Sequence, residues 1–305
     1  MSSAPSYTKT PTLREIERSF AKINDVLVNH SKWLIEWTTR VICKIPVEHK
    51  YFTEESYREC YFGRWYYGDH PDSLREMPEF DKIEEQHRTL HKEMQGIVEK
   101  ANCHEPISRS EYDAFIATEA AFSLAMIKVR DTLYELLLSF DQLTGMLNRQ
   151  AFFRLLEQEY ARVKRFNEPC SIVLIDIDHF KKINDEYGHA SGDKVLSVIA
   201  KLLIDNLRPY DVIGRYGGEE FLIFTPNISL DMSQSIMERL RKELAEKPIC
   251  VADGSCIQVT ASFGIAAMSA DEALSETIEH ADQALYQAKN SGRNRVVLWA
   301  EYRKK

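Results

Sequence analysis

The sequence predicts an α+β chain in two parts: an all-α four-helix bundle, then an α/β domain with a central mixed sheet. Three observations predict it. The length of 305 residues suits two compact domains. From Pro11 to about Phe140, apolar residues recur at helical spacing with little strand character. After Asp141 the pattern changes to short β-branched runs between amphipathic stretches, which is how an α/β domain reads. The expected division is a flexible tail over 1–14, a helical domain with a stalk helix over 15–140, and the α/β domain over 141–305.

In the first part, helices are expected at roughly 13–45, 54–67, 79–101 and 109–140. The breaks are marked by Pro46, by Gly68 to Pro71, by Pro78 and by Pro106. The last helix carries Phe122, Met126, Val129, Leu133, Leu136 and Phe140 at alternating steps of 4 and 3, a heptad seam. Such a seam serves either as an intramolecular core stripe or as a dimer-forming stalk that couples the two parts. In the second part, strands are expected over 171–178, 221–224, 257–267 and 295–299, with helices over 148–166, 192–206, 230–245 and 273–290. Gly217-Gly218 stands between two strand-like runs, as a two-residue turn accepting positive φ at both centres and joining antiparallel strands would. The sheet is therefore mixed or antiparallel.

Composition narrows the function. With 39 Lys plus Arg against 47 Asp plus Glu the formal charge is −8, and no Lys/Arg-rich tract supplies the footprint that DNA binding needs. No window approaches the roughly 18 uncharged apolar residues of a spanning helix, and MSSAPSYTKT lacks the basic and apolar regions of a leader. A cytosolic protein without membrane or DNA partners is expected. Cys43, Cys60, Cys103, Cys170, Cys250 and Cys256 include no C-x-x-C pair and are too sparse for a disulfide framework, so thiols or metal ligands are expected.

Asp176 and Asp178 stand two residues apart in a strand-like run and are expected on opposite faces, with at most one of them facing a given site. Glu219 and Glu220 start the strand after the glycine pair. If the two strands are neighbours, carboxylates from both meet at one edge, where a hard divalent cation with oxygen ligands best explains them. Mg²⁺ typically takes one or two carboxylates plus substrate phosphates, which makes a nucleoside triphosphate the missing partner.

Here the sequence resembles the GGDEF family of diguanylate cyclases, through DQLTGMLNR (141–149), DIDHFKKINDEYGHASGD (176–193), RPYD (208–211), RYGGEEF (215–221) and ADQALYQAKNSGRNRV (281–296), in that order. The resemblance implies a cyclase/polymerase-palm-like domain that condenses two GTP into cyclic di-GMP and two pyrophosphates. It implies Asp176, the backbone carbonyl of Ile177 and Glu219 as ligands of Mg²⁺ or Mn²⁺. Asn184, His189 and Asp193 fall where the family recognises guanine and sugar. Lys181, Lys289 and Arg293 fall at phosphate-contacting positions, helped by backbone N–H groups near His179 and Phe180. Lys181 is the implied transition-state stabiliser, and Glu219 or Glu220 the implied proton acceptor. Each domain holds one GTP, so catalysis implies a homodimer. Arg208 and Asp211 fall at the family's inhibitory site for product, although an R-x-x-D tetrapeptide is commonly only an exposed salt bridge. The signature reads GGEEF, which keeps the carboxylate on an arm one methylene longer.

The first part contains His30-Ser31-Lys32-Trp33, Cys60-Tyr61-Phe62-Gly63-Arg64-Trp65, and His87 with His91. His87 and His91 lie one helical turn apart on a face shared with Ile83, Leu90, Met94 and Val98, so both are expected inward. Three buried polar groups each need a partner. Three His and one Cys form a tetrahedral complement that suits Zn²⁺, closed and therefore structural or regulatory. His49, His70 and His104 fall in loops and fit no ligand spacing. The arrangement H-x-x-W, C-x-F-G-x-W, H-x-x-x-H resembles the chemoreceptor zinc-binding domain, and the order of domains resembles zinc-controlled diguanylate cyclases, which implies inhibition by zinc. Cys60 as a thiolate leaves a redox input open. The alternative function is a silent module that binds GTP or cyclic di-GMP and signals through a partner; such modules usually lose the signature acids or the Lys-Arg pair, and Asp176, Glu219, Lys289 and Arg293 are all retained here.

Overall fold

Two side-chain caps fix where the longest helices begin. Thr12 accepts from the Glu15 N–H while the Glu15 carboxylate accepts from the Thr12 N–H, a capping box that starts α1 (Leu13–Ile42). Ser108 and Glu111 repeat that exchange at the start of the last helix of the bundle. In this computed structural model, residues 12–47, 55–68, 74, 77–166, 168–251 and 254–299 are described. The tail over 1–11, His49 and His70 lie outside the described residues. The chain divides into two units at the step from Leu138 to Ser139.

The first unit contains α1, α2 (Ser56–Glu59), α3 (Tyr61–Tyr66), α4 (Pro78–Asn102), which starts on a proline, and α5 (Arg109–Leu137). The helix expected over 54–67 is broken at Cys60, whose backbone is extended (ψ 168°) and whose thiol accepts from the Gly63 N–H at 3.1 Å. Glycine is required at 63, because a Cβ there would stand 2.0 Å from the Tyr57 carbonyl oxygen. The core is built from Ile23, Val26, Ile83, Leu90, Met94 and Phe115, each exposed by 1% or less. Each such burial contributes about 1.5–3 kcal/mol. Phe122, Met126, Val129 and Leu133 are buried in the same core, so the heptad seam is used inside the bundle through Leu133. Phe140 belongs to the second unit, where it bridges to Leu147.

The second unit contains α6 (Arg149–Phe166), β1 (Cys170–Ile177), α7 (Phe180–Tyr187), α8 (His189–Asn206), β2 (Val212–Arg215) and β3 (Glu220–Pro226). There follow α9 (Leu230–Glu246), β4 (Pro248–Cys250), β5 (Cys256–Gln258), β6 (Ala261–Met268), α10 (Leu274–Asn290) and β7 (Val296–Leu298). The main sheet has the order β2-β3-β1-β6-β7; β1 is antiparallel to both β3 and β6, and β7 is parallel to β6. The sheet is thus mixed. β1 is buried at every position, its apolar stretch Ile172 to Ile175 suiting a strand covered on both faces.

Four expectations are corrected. Helix α7 was absent from the pattern reading, because its apolar face is short, and α8 starts at His189 rather than 192. The strand expected over 257–267 is two strands, of which β5 pairs only with β4 in a separate hairpin. That hairpin sets Cys250 opposite Cys256, and the two form a disulfide, so they are not the thiols or ligands expected; Cys43, Cys60, Cys103 and Cys170 are free thiols. Gly217 and Gly218 do not adopt positive φ. The turn is wider than two residues, with the N–H groups of Tyr216 and Gly217 both donating to the Glu220 carbonyl, at 2.8 and 3.2 Å. Among the described residues no helix is long and apolar enough to cross a membrane.

Candidate active site and metal site

Strand register creates the acidic edge. Asp176, at the end of β1, lies directly opposite Glu220, which starts β3, and the Ile177 N–H donates to the Glu219 carbonyl at 3.3 Å. Three carboxyl groups therefore share one end of two neighbouring strands. Burial raises the pKa of Asp176, opposed mainly by the Lys289 ammonium, whose Nζ lies 2.7 Å from Asp176 Oδ2. Burial and then the Asp176 charge raise those of Glu219 and Glu220. Carboxylates crowded and desolvated in this way fit a hard divalent cation, which relieves both their mutual repulsion and their lost hydration.

Asp178, one residue past the end of β1, corrects the expectation of opposite faces: residues two apart along a strand share a face, and the Asp178 charge helps to raise the Asp176 pKa. Asp178 accepts from Thr260 Oγ1 and Ser262 Oγ, both at 2.7 Å, and from the Asn294 N–H at 3.0 Å. Its work is to anchor a turn in which Arg293 (φ 61°) and Asn294 (φ 44°) hold left-handed conformations. Arg293 is thereby positioned, and its charge lowers the Asp176 pKa. The sequence alone does not show this role, because the partners of Asp178 lie 82 or more residues away along the chain.

The remaining expected positions cluster after β1. His179 is left-handed (φ 59°) and leads into α7, where Phe180 is buried, Lys181 is exposed and Asn184 sits in the last turn. Gly188 joins α7 to α8, whose first turns carry His189 and Asp193. A Cβ on Gly192 would fall 1.9 Å from Asn184 Oδ1, so the Asn184 amide lies against the α8 turn that carries Asp193. Two contacts tie the 141–149 motif to the glycine hairpin: Arg215 Nη1 donates to both Asp141 carboxylate oxygens at 3.1 Å, and the Arg149 guanidinium lies 4.6 Å from the Tyr216 ring centre. Arg208 closes on Asp211 with Nη2 to Oδ1 at 2.7 Å and Nε to Oδ2 at 3.3 Å, and its backbone N–H also donates to Oδ2.

In the helical unit Cys60, His87 and His91 come together. One ligand atom of each lies within 4.8 Å of the others, and Cys60 Sγ is 3.3 Å from His87 Nε2. Ser56 Oγ lies 3.2 Å from His91 Nδ1, leaving Nε2 of that ring for a metal. His30 is buried nearby but outside this tight group; Trp33 stacks between it and His91, with ring centres at 5.5 and 5.6 Å. A cavity of about 580 Å³ opens onto all four candidate ligands. The set of one sulfur and three imidazoles fits zinc. His104 lies in a turn away from them with φ 58°.

Burial pushes the His87 pKa down to about 2 and that of His91 to about 4, with neighbouring imidazoles adding to both, and pushes the Cys60 thiol up. A histidine whose folded pKa is depressed takes up its proton preferentially in the unfolded chain. The metal-free bundle is therefore expected to lose stability as pH falls below about 6.5, the ordinary imidazole value, and to go on losing it down to about 4 through His91 and about 2 through His87. Denaturant midpoints measured at pH 7.5 and 5 on zinc-stripped protein check this; a midpoint unchanged or higher at pH 5 would contradict it.

Comparison with known proteins agrees with both halves. The family described as "Diguanylate cyclase, GGDEF domain" matches residues 138–295, and the chemoreceptor zinc-binding domain matches residues 22–98. The chain is 46% identical over 158 residues to diguanylate cyclase DgcP of Pseudomonas aeruginosa, covering 52% of this chain and 23% of that one. It is 39% identical over 193 residues to diguanylate cyclase A of Treponema denticola, covering 62% of this chain and 52% of that one. The chain thus matches about half or less of the length of these two curated relatives. Among solved structures it is similar to the coiled coil and GGDEF domain of DgcB from Caulobacter crescentus in complex with c-di-GMP, with TM-score 0.56 and 29% identity over 60% of this chain and 98% of that one. The chain belongs to the GGDEF-domain family of diguanylate cyclases, and it carries a chemoreceptor zinc-binding domain ahead of that domain.

Proposed function

We propose that the protein is a cytoplasmic, homodimeric diguanylate cyclase that condenses two GTP into cyclic di-GMP and two pyrophosphates and is inhibited by zinc bound to its helical domain. The convergence of Asp176, Glu219, Glu220 and Lys289 at one sheet edge carries the reading. Asp176, the Ile177 carbonyl and Glu219 would hold Mg²⁺ or Mn²⁺. A bound cation supplies Lewis acidity to the α-phosphate and lowers the pKa of the attacking 3′-hydroxyl.

The chain's own groups do the rest. Lys289, which pairs with Asp176 here, and Arg293 would hold the triphosphate, and exposed Lys181, on α7, would meet charge developing in the transition state. Asn184, His189 and Asp193 supply the polar groups for a guanosine, and the Asn184 amide already lies against α8. Glu219 or Glu220 takes the hydroxyl proton, a task that a raised carboxyl pKa favours. Val28, Ile35 and Ile42, seven residues apart on α1, are exposed by 53%, 65% and 76%, which supports pairing with a second copy. Detection of cyclic di-GMP and pyrophosphate from GTP, with no cyclic product from ATP, tests the reading.

Product inhibition at Arg208 and Asp211 belongs to the same proposal. Asp211 is fully committed to Arg208, while the Arg208 side chain is 39% exposed and able to meet a phosphodiester. Arg208→Ala is expected to raise the cyclic di-GMP concentration giving half inhibition by about tenfold or more, about 1.4 kcal/mol of lost binding. An unchanged inhibition curve would leave Arg208–Asp211 a salt bridge and nothing more.

A further inference from the structure

Of the four candidate zinc ligands, His30 alone has a buried nitrogen with nothing bonded to it. Among the described residues its Nε2 makes no hydrogen bond, and it lies 3.8 Å from Glu119 Oε1, on α5. A buried, unsatisfied imidazole nitrogen beside a carboxylate is costly to leave open. The carboxylate is held in place from its own helix: Ser123 Oγ, one turn on, donates to the same Oε1 at 2.7 Å. The imidazole is held as well, with Phe122 of α5 4.7 Å and Trp33 5.5 Å from its ring centre.

We infer that Glu119 is the positioning partner of His30 in the zinc site, accepting a hydrogen bond from Nε2–H so that Nδ1 is left to ligate the metal. A metal-bound histidine ordinarily donates its other ring N–H to a carboxylate or carbonyl, which fixes the tautomer and the ring orientation. His91 shows the mirror arrangement, with Nδ1 occupied by Ser56 and Nε2 left over. Ligation withdraws electron density from the ring and makes Nε2–H a stronger donor, so zinc tightens the His30–Glu119 contact across α1 and α5. Helix α5 is the one that runs to Leu137 and continues in sequence into the GGDEF domain. The inference rests on the zinc reading above and gives it a route from metal to stalk helix.

The test is zinc affinity of the full chain, measured by competition with a chelator of known affinity, in a double-mutant cycle of Glu119→Gln and His30→Ala. Glu119→Gln is expected to weaken zinc by 10–100-fold in the otherwise unchanged protein and to have no further effect once His30 is Ala. Helicity by circular dichroism, and the thiolate-to-metal charge-transfer band of the cobalt-substituted protein, should be retained in Glu119→Gln, since Cys60 is untouched. Equal or tighter binding in Glu119→Gln, or the same weakening with and without His30, would overturn the inference. Normal binding by Glu119→Gln together with lost binding by His87→Ala would overturn it while leaving the zinc reading standing; no zinc bound by the unsubstituted protein would overturn both.

Discussion

Glu219→Gln and Glu220→Gln are each expected to lower cyclic di-GMP formation by at least about 100-fold, the cost of removing one charge-stabilising group from a preorganised site. Both glutamates sit where burial and the Asp176 charge already disfavour ionisation, so the neutral amide relieves strain rather than adding it. The sign is fixed by the direction of the shift: a carboxyl with a raised folded pKa costs stability once pH exceeds its unfolded value near 4.5, and that cost is removed at neutral pH in the amide. The variants should therefore melt at or above the temperature of the unsubstituted domain while losing turnover. Near-normal product from either, or a loss of turnover that follows a loss of folded protein, would contradict the assignment.

Zinc is expected to have the largest effect on the helical unit. Cys60, His87 and His91 already lie within 4.8 Å of one another, so little reorganisation precedes binding. Free zinc at a hundredfold excess over its dissociation constant adds about 2.7 kcal/mol to the folded state, which for a unit of this size is about 10 °C in melting temperature. Cys60→Ala, which removes the only sulfur of the set, is expected to abolish that shift. Differential scanning calorimetry with stoichiometric and excess zinc reads it directly. A shift that survives Cys60→Ala would place the metal elsewhere.

The parts legible in the sequence were those written in periodicity and in long ordered motifs. Heptad steps from Phe122 to Leu133 gave a buried stripe, and the β-branched run of β1 gave a strand covered on both faces. The Asp176–Glu220 pairing followed from two strand readings and one turn. What escaped was decided by tertiary contact. The break at Cys60 depends on a thiol capping the Gly63 N–H and on the Tyr57 carbonyl leaving no room for a Cβ, neither of which alters the hydrophobic pattern. The Cys250–Cys256 bond depends on a hairpin register that six residues of spacing do not reveal. Gly217-Gly218 read as a tight turn, yet the chain uses a wider one in which Glu220 accepts two backbone bonds. Glu119 was invisible for the same reason: 89 residues separate it from His30, and only the packing of α5 on α1 brings them together.

The central claim is that an acidic sheet edge making cyclic di-GMP is governed by a zinc site in the same chain. Purified full-length protein incubated with GTP and Mg²⁺, with and without a strong zinc chelator, should release cyclic di-GMP in amounts that rise on chelation. Absence of cyclic di-GMP under both conditions, while GTP remains bound, would contradict the claim.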